Sequence, residues 1–158
     1  MKILAVFTGG DKGIAEALSG IKKLAGEQES LTALLSKSAE RIIGKEKISE
    51  TGVKEILIDD GRQNPYHLAD LYDMLIMPVV TLNTLSKIAN LVADNLISNL
   101  VVAFLRRRKP VLLCRDSIIC CDVDVAPGEG LLKRAEDLVA LVRELGIAVI
   151  EAKDTAFH

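Results

Sequence analysis

Short aliphatic runs alternate along this chain with stretches in which apolar residues recur every three or four positions. Each run predicts a strand and each periodic stretch a helix. Lys2 to Phe7 reads as a first buried strand, after which Ile14, Ala17, Leu18, Ile21 and Leu24 fall at helical spacing. Leu31 to Leu35 is a second strand ended by Ser36, with Ala39, Ile42 and Ile43 suggesting a short helix behind it. Glu55 to Ile58 is a third strand and Met74 to Val79 a fourth, followed by a long helical region from about Leu82 to Arg107. Pro110 opens a fifth strand, Val111 to Cys114. Leu131 to Leu145 predicts an amphipathic helix stopped by Gly146, and Ile147 to Ile150 a sixth strand. The polar stretch Gly44 to Lys54 reads as a loop or helix end, and Gln63 to Pro65 as another loop.

Strands that are apolar throughout, separated by helices, belong to a parallel sheet covered on both faces. With right-handed crossovers this predicts an α/β, Rossmann-like three-layer sandwich, or its flavodoxin-like variant, with a mostly parallel sheet. The 158 residues show no repeat and no linker, so one domain over 1–158 is expected.

Composition narrows the function classes. A net charge of −2 gives no reason to expect nucleic acid or an anionic membrane as partner. Aromatic residues at 3% and the absence of Trp argue against a base-stacking platform. The apolar region Leu82 to Leu105 is interrupted by Lys87, Asn90, Asp94, Asn95 and Asn99, which are costly in lipid, and Met1 to Phe7 is too short for a secretory signal. Three cysteines, an odd number, fit a reducing compartment, so a cytoplasmic location is expected. Adjacent Cys120 and Cys121 lack the spacing of a chelating pair, and the two histidines and scattered acids give no metal site. The cysteine pair reads either as two small packed residues or as a vicinal thiol pair; Cys114 reads as core.

In such a sheet, ligands bind outside the carboxyl ends of the strands. The non-aliphatic residues of this chain fall there. Thr8-Gly9-Gly10-Asp11-Lys12-Gly13 leads from the first strand into a helix: either a tight turn, or a cradle whose N–H groups and helix dipole suit an anion. Ser36-Lys37-Ser38 after the second strand is a helix cap or a pair of hydroxyls at the same crevice. After the fourth strand, Pro78 opens a loop carrying Thr81, Asn83 and Thr84. A cap needs only one such residue; a carboxamide flanked by two hydroxyls also suits a heteroaromatic ring or a ribityl chain.

This last segment resembles the homo-oligomeric flavin-containing cysteine decarboxylase superfamily. Asp73, the strand to Met77, Pro78, Asn83-Thr84, Lys87-Ile88-Ala89 and Asp94-Asn95-Leu96 match the family's characteristic stretch position by position. Val79-Val80-Thr81-Leu82 departs from the usual Ala-Ser-Ala, with Thr81 offering a hydroxyl for the serine. The likeness extends to Thr8-Gly9-Gly10, Ser36-Lys37-Ser38-Ala39 and Arg107 to Val111, and so covers roughly Met1 to Arg115. It implies a Rossmann-like fold, bound FMN, and homo-oligomers (trimers or dodecamers) with flavin near subunit interfaces. The FMN phosphate is then expected on Thr8 to Lys12 with help from Ser36 and Ser38, and the isoalloxazine against Pro78, Val79, Val80, Thr81, Asn83 and Thr84.

The resemblance leaves the reaction open between family members. His67 is the only candidate for the catalytic histidine of the cysteine decarboxylases, and nothing after Cys121 resembles their Ala-Cys-Gly substrate clamp. Arg115, followed by Asp116, stands where flavin prenyltransferase has a phosphate-holding arginine; it reads equally as the partner of a nearby acid. The long helix and its basic end, Arg106 to Lys109, resemble the dipicolinate synthase member of the superfamily, though that charge run alone reads as a solvated helix terminus. Two functions are expected to compete. One is an FMN-dependent decarboxylase-like or prenyltransferase-like enzyme for a small anionic substrate, with Asn83 the group nearest the chemistry; the other is a flavin electron carrier with a redox partner.

Overall fold

The computed structural model describes residues 1–27, 30–119 and 127–151. Six strands, β1 (Ile3–Phe7), β2 (Leu31–Leu35), β3 (Glu55–Ile58), β4 (Met74–Val79), β5 (Val111–Cys114) and β6 (Ala148–Ile150), form one sheet in the order β3-β2-β1-β4-β5-β6. Every pairing is parallel. This is the Rossmann strand order, and its direction of travel reverses between β1 and β4. Strands β1 and β2 are buried at all positions, as continuous aliphatic runs require when both sheet faces are covered.

Successive strand residues point to opposite faces and so divide the core in two. Ile3, Ala5 and Phe7 pack with Ala17, Ile21 and Leu24 of α1 (Ile14–Glu27), Ala39 of α2 (Lys37–Ile42) and Ile48 of α3 (Lys45–Ser49). Leu4 and Val6 face the other layer. It is made by Leu68 of α4 (Pro65–Leu71), Leu85 of α5 (Leu82–Ala89), Phe104 of α6 (Leu96–Arg106) and Val139 of α7 (Glu129–Glu144). Phe7 and Phe104 are fully buried, and full burial of such a side chain contributes about 1.5–3 kcal/mol.

The expected long helix is two helices. Asn90 ends α5, Leu91 adopts φ 55°, and Val92 N donates back to Lys87 O (2.9 Å) while Leu91 N donates to Ile88 O (3.1 Å). That pair of bonds is a Schellman stop, here with leucine in the left-handed position that usually holds glycine. Asn95 then starts α6 with a capping box, its Oδ1 accepting from Ser98 N at 2.9 Å. Two further short helices are present: α3 lies within Gly44 to Lys54, expected as a loop or helix end, and α4 begins at Pro65, the last residue of the loop expected over Gln63 to Pro65. Pro65 sits at the first position of α4, where its missing N–H is harmless, and Asn64 caps it. No helix among the described residues is long and apolar enough to cross a membrane.

Candidate functional site

All the loops expected to carry chemistry leave the same rim of the sheet. Phe7 is level with Leu35 of β2 and Val79 of β4, and Met77 is level with Leu113 of β5. The residues that follow, Thr8, Ser36, Val80 and Arg115, therefore share one edge, around the point where strand order reverses.

The first loop is packed against its neighbours rather than open. A Cβ on Gly9 would lie 2.6 Å from Ser38 Cβ, and one on Gly10 would lie 2.7 Å from Ser117 Cβ and 2.8 Å from Val79 Cγ1. Only glycine allows the three following loops to converge this closely. The amino end of α1, read from sequence as an anion cradle, has a carboxylate beside it: Asp116 Cβ is 2.9 Å from where a Gly13 Cβ would stand. Lys12 is exposed, and its carbonyl accepts a hydrogen bond from Ser117 Oγ. Ser36 Oγ accepts from Ala39 N (3.1 Å) and caps α2.

The fourth strand ends in a knot of hydroxyls. Thr8 Oγ1 donates to Val79 O (3.0 Å) and accepts from Thr81 N (3.0 Å). Thr81 caps α5, its Oγ1 accepting from Thr84 N (3.2 Å) and lying 3.1 Å from Thr84 Oγ1. Pro78, Val79 and Val80 are buried beneath this knot. Asn83, in the first turn of α5, is exposed, and its side chain makes no hydrogen bond with other described residues. The matching residues farther along are structural: Lys87 Nζ pairs with Asp94 Oδ1 (2.9 Å) across the α5–α6 turn, and Asn95 caps α6.

Between the first and fourth loops lies a cleft of about 350 Å³. Gly9, Gly10 and Asp11 form one wall, Thr81, Leu82 and Asn83 another, and Ser117, Ile118, Ile119 and Leu131 close the side nearest α7. Of these, Ser117, Ile118, Ile119 and Leu131 carried no signal in the sequence, because nothing in an aliphatic pair after a strand distinguishes a cleft wall from core.

The remaining candidates are not among the residues of the cleft wall. Arg115 follows β5 and pairs with Glu136 on α7, whose carboxyl that guanidinium holds below the usual carboxylate range. His67 is exposed in the first turn of α4, its amide donating to Asn64 Oδ1 at 3.2 Å. Cys114 Sγ donates to Asp116 Oδ2 (2.9 Å); burial first, then that hydrogen bond, pushes the thiol up to about 12. Cys120 and Cys121 lie outside the described residues.

The family model described as "Flavoprotein" matches residues 1–144. No curated protein sequence matches the chain. Among solved structures, a dodecameric FMN-dependent UbiX-like decarboxylase from Escherichia coli O157:H7 superposes with a TM-score of 0.72 at 13% identity, over 96% of this chain and 79% of that one. The cysteine decarboxylase TvaF from thioviridamide biosynthesis, described as FMN-dependent, gives 0.70 at 19% identity over 99% and 93%. The peptidyl-cysteine decarboxylase EpiD gives 0.70 at 14% over 95% and 85%. At these identities the structural likeness establishes the shared fold.

Proposed function

The chain belongs to the flavoprotein family, and from that premise we propose that it binds FMN in the cleft between β1 and β4. There it acts on a small anionic substrate by decarboxylase-like or prenyltransferase-like chemistry. The observation that carries this reading is the cleft itself. It sits at the reversal point of the strand order, where this class of sheet binds nucleotides, and pairs the glycine loop with the carboxamide of Asn83. The TM-scores to proteins described as FMN-dependent support the choice of flavin.

The residues present fit the group. The volume lies at the low end of the roughly 300–1,000 Å³ common for such sites. That suits a cofactor covered partly by a second copy, and the dodecameric relative supports a homo-oligomer, trimeric or dodecameric. Leu82, Ile118 and Leu131 offer apolar surface to a ring system, and Asn83 a donor and an acceptor to its polar edge. The Gly9–Lys12 loop, with Ser38 lying against Gly9, would hold the phosphate. When bound, FMN supplies the capacity to accept and return electrons or to carry an adduct. This chain's residues orient it, exclude water along the apolar wall, and present Asn83 to substrate. Arg115 receives the substrate anion once it leaves Glu136.

A second reading, a flavin electron carrier, draws on one observation: the candidate acid–base and cationic groups His67 and Arg115 are not among the residues lining the cleft. Purified protein decides the cofactor. It should be yellow, or should take up FMN with a spectral change and about 2.7 kcal/mol of stabilisation at a hundredfold excess over Kd. A colourless protein indifferent to FMN ends both readings. Turnover of a cysteine-ended peptide, phosphopantothenoylcysteine or dimethylallyl phosphate removes the carrier. Asn83→Asp should leave folding intact yet alter the reaction; an unchanged reaction removes Asn83 from the site.

A further inference from the structure

The ladder between β1 and β4 does not simply stop at the cleft. Ala5 is level with Ile76 and Phe7 with Val79, so β4 carries one extra residue over this interval. The interval contains Pro78, which has no N–H to give a ladder and is tolerated in an interior strand at a bulge. Beyond the bulge Thr8 N donates to Val79 O (3.1 Å). A regular parallel ladder would continue with Thr81 N donating to Thr8 O. Thr8 O instead accepts from Gly10 N (2.9 Å), the bond that turns the first loop away from the sheet. Thr81 N is taken up by the Thr8 hydroxyl at 3.0 Å, and that hydroxyl donates to Val79 O at 3.0 Å.

One side chain thus stands in for a main-chain carbonyl at the fork where two strands separate. Thr8 is 3% exposed. Its proton and one of its lone pairs are committed, so it has no donor left for a ligand. The residue it holds, Thr81, is the cap of α5, and Asn83 stands two residues later in that helix's first turn.

We propose that Thr8 is a positioning residue and not a ligand of the cofactor: its hydroxyl pins the β1–β4 fork and so fixes where α5 presents Asn83. The proposal rests on the FMN reading above. It departs from the sequence expectation, which set the FMN phosphate on Thr8 to Lys12, in assigning no phosphate contact to Thr8. A clamp and a phosphate ligand respond differently to the loss of the hydroxyl. A ligand matters only to the flavin that carries the phosphate; a clamp matters to any flavin in the cleft.

The test is titration of FMN and of riboflavin into wild type, Thr8→Ser and Thr8→Val, followed by flavin fluorescence. Thr8→Val should weaken both flavins by the same factor, about tenfold, equivalent to one good hydrogen-bonded contact. Thr8→Ser, which keeps the hydroxyl, should restore both. Loss confined to FMN makes Thr8 a phosphate contact and overturns the proposal, as does no loss for either flavin. Wild type that binds neither flavin sinks the FMN reading instead. Should Thr8→Val fail to fold or riboflavin uptake be too weak to measure, amide exchange of wild-type Thr81 decides. Protection of that amide supports the clamp, and exchange at the rate of an unprotected amide refutes it.

Discussion

The flank where α4 meets α6 and the rim where β1 meets β4 treat polar groups in opposite ways. On the flank, polar groups satisfy one another. Lys109 Nζ donates to Ala69 O (2.6 Å) and Tyr72 O (2.8 Å), closing the last carbonyls of α4. Arg107 pairs with Asp70 and lies 5.2 Å over the Tyr66 ring. At the rim, the hydroxyls of Thr8 and Thr81 are taken up by backbone and by Thr84, while the Asn83 carboxamide has no hydrogen-bond partner among the described residues. A basic run of four residues thus proves to be partly a fastening, and an uncharged amide at the cleft is the group left without a hydrogen-bond partner among the described residues.

The sharpest way to break the rim is to thicken it. Gly10→Ala places a methyl 2.7 Å from Ser117 Cβ and 2.8 Å from Val79 Cγ1, neither of them the far end of a flexible chain. Overpacking of this kind costs about 1–3 kcal/mol, and the denaturation midpoint should fall accordingly. Flavin uptake should fall with it, because Gly10 and Ser117 both line the cleft. On the flank, Lys109→Met keeps the aliphatic stem but leaves the end of α4 without its donor. Loss of charge-assisted hydrogen bonds there should cost about 1.5 kcal/mol and leave flavin binding unchanged. Equal effects of the two variants on binding would show that rim and flank are not separable.

Cys114 sharpens the comparison through pH. Its thiol is pushed up to about 12 by burial and by the Asp116 carboxylate. A raised value means the folded protein holds the proton more tightly than the unfolded chain. Stability is then complete below the ordinary thiol range and falls as pH rises from there through the folded value. By pH 10 the loss should be about 1 kcal/mol. Cys114→Ala isolates it, since the stability difference between wild type and variant should narrow above pH 9 or so. A constant difference would show that the thiol is not shielded.

Much of this architecture was legible in the sequence. The aliphatic runs from Leu31, Met74 and Val111 gave strands with the bounds found, because strands buried on both faces leave an unbroken apolar signal, and the run from Glu55 gave the half-buried edge strand β3 with its bounds as well. The break after α5 was hidden: its stop is Leu91 at φ 55°, and α6 ends likewise on Arg108 at φ 55°, where sequence reasoning looks for glycine. At the site, the pattern around Pro78 located the loop but not the division of labour within it. Asn83 and Thr81 look alike as polar residues at a helix start. Both line the cleft, and only the geometry of the fork shows that Thr81 is fastened there while the Asn83 side chain makes no hydrogen bond with other described residues. Arg115 illustrates the same limit, since its partner Glu136 lies 21 residues away on another element.

The smallest effect belongs to the exposed pair on the flank. The Arg107 guanidinium beside Asp70 holds its carboxyl below the usual carboxylate range. A lowered value means that the contribution is present at neutral pH and is lost as pH falls through the folded value. Both groups face solvent, so screening leaves little of the Coulomb attraction, and ordering two side chains opposes the rest. Asp70→Asn should therefore shift the melting temperature less than either Gly10→Ala or Lys109→Met. The shift should shrink with added salt and vanish in acid, where the wild-type carboxyl is protonated. A salt-insensitive loss as large as that of Lys109→Met would mean that the pair, and not the lysine, fastens α4 to α6.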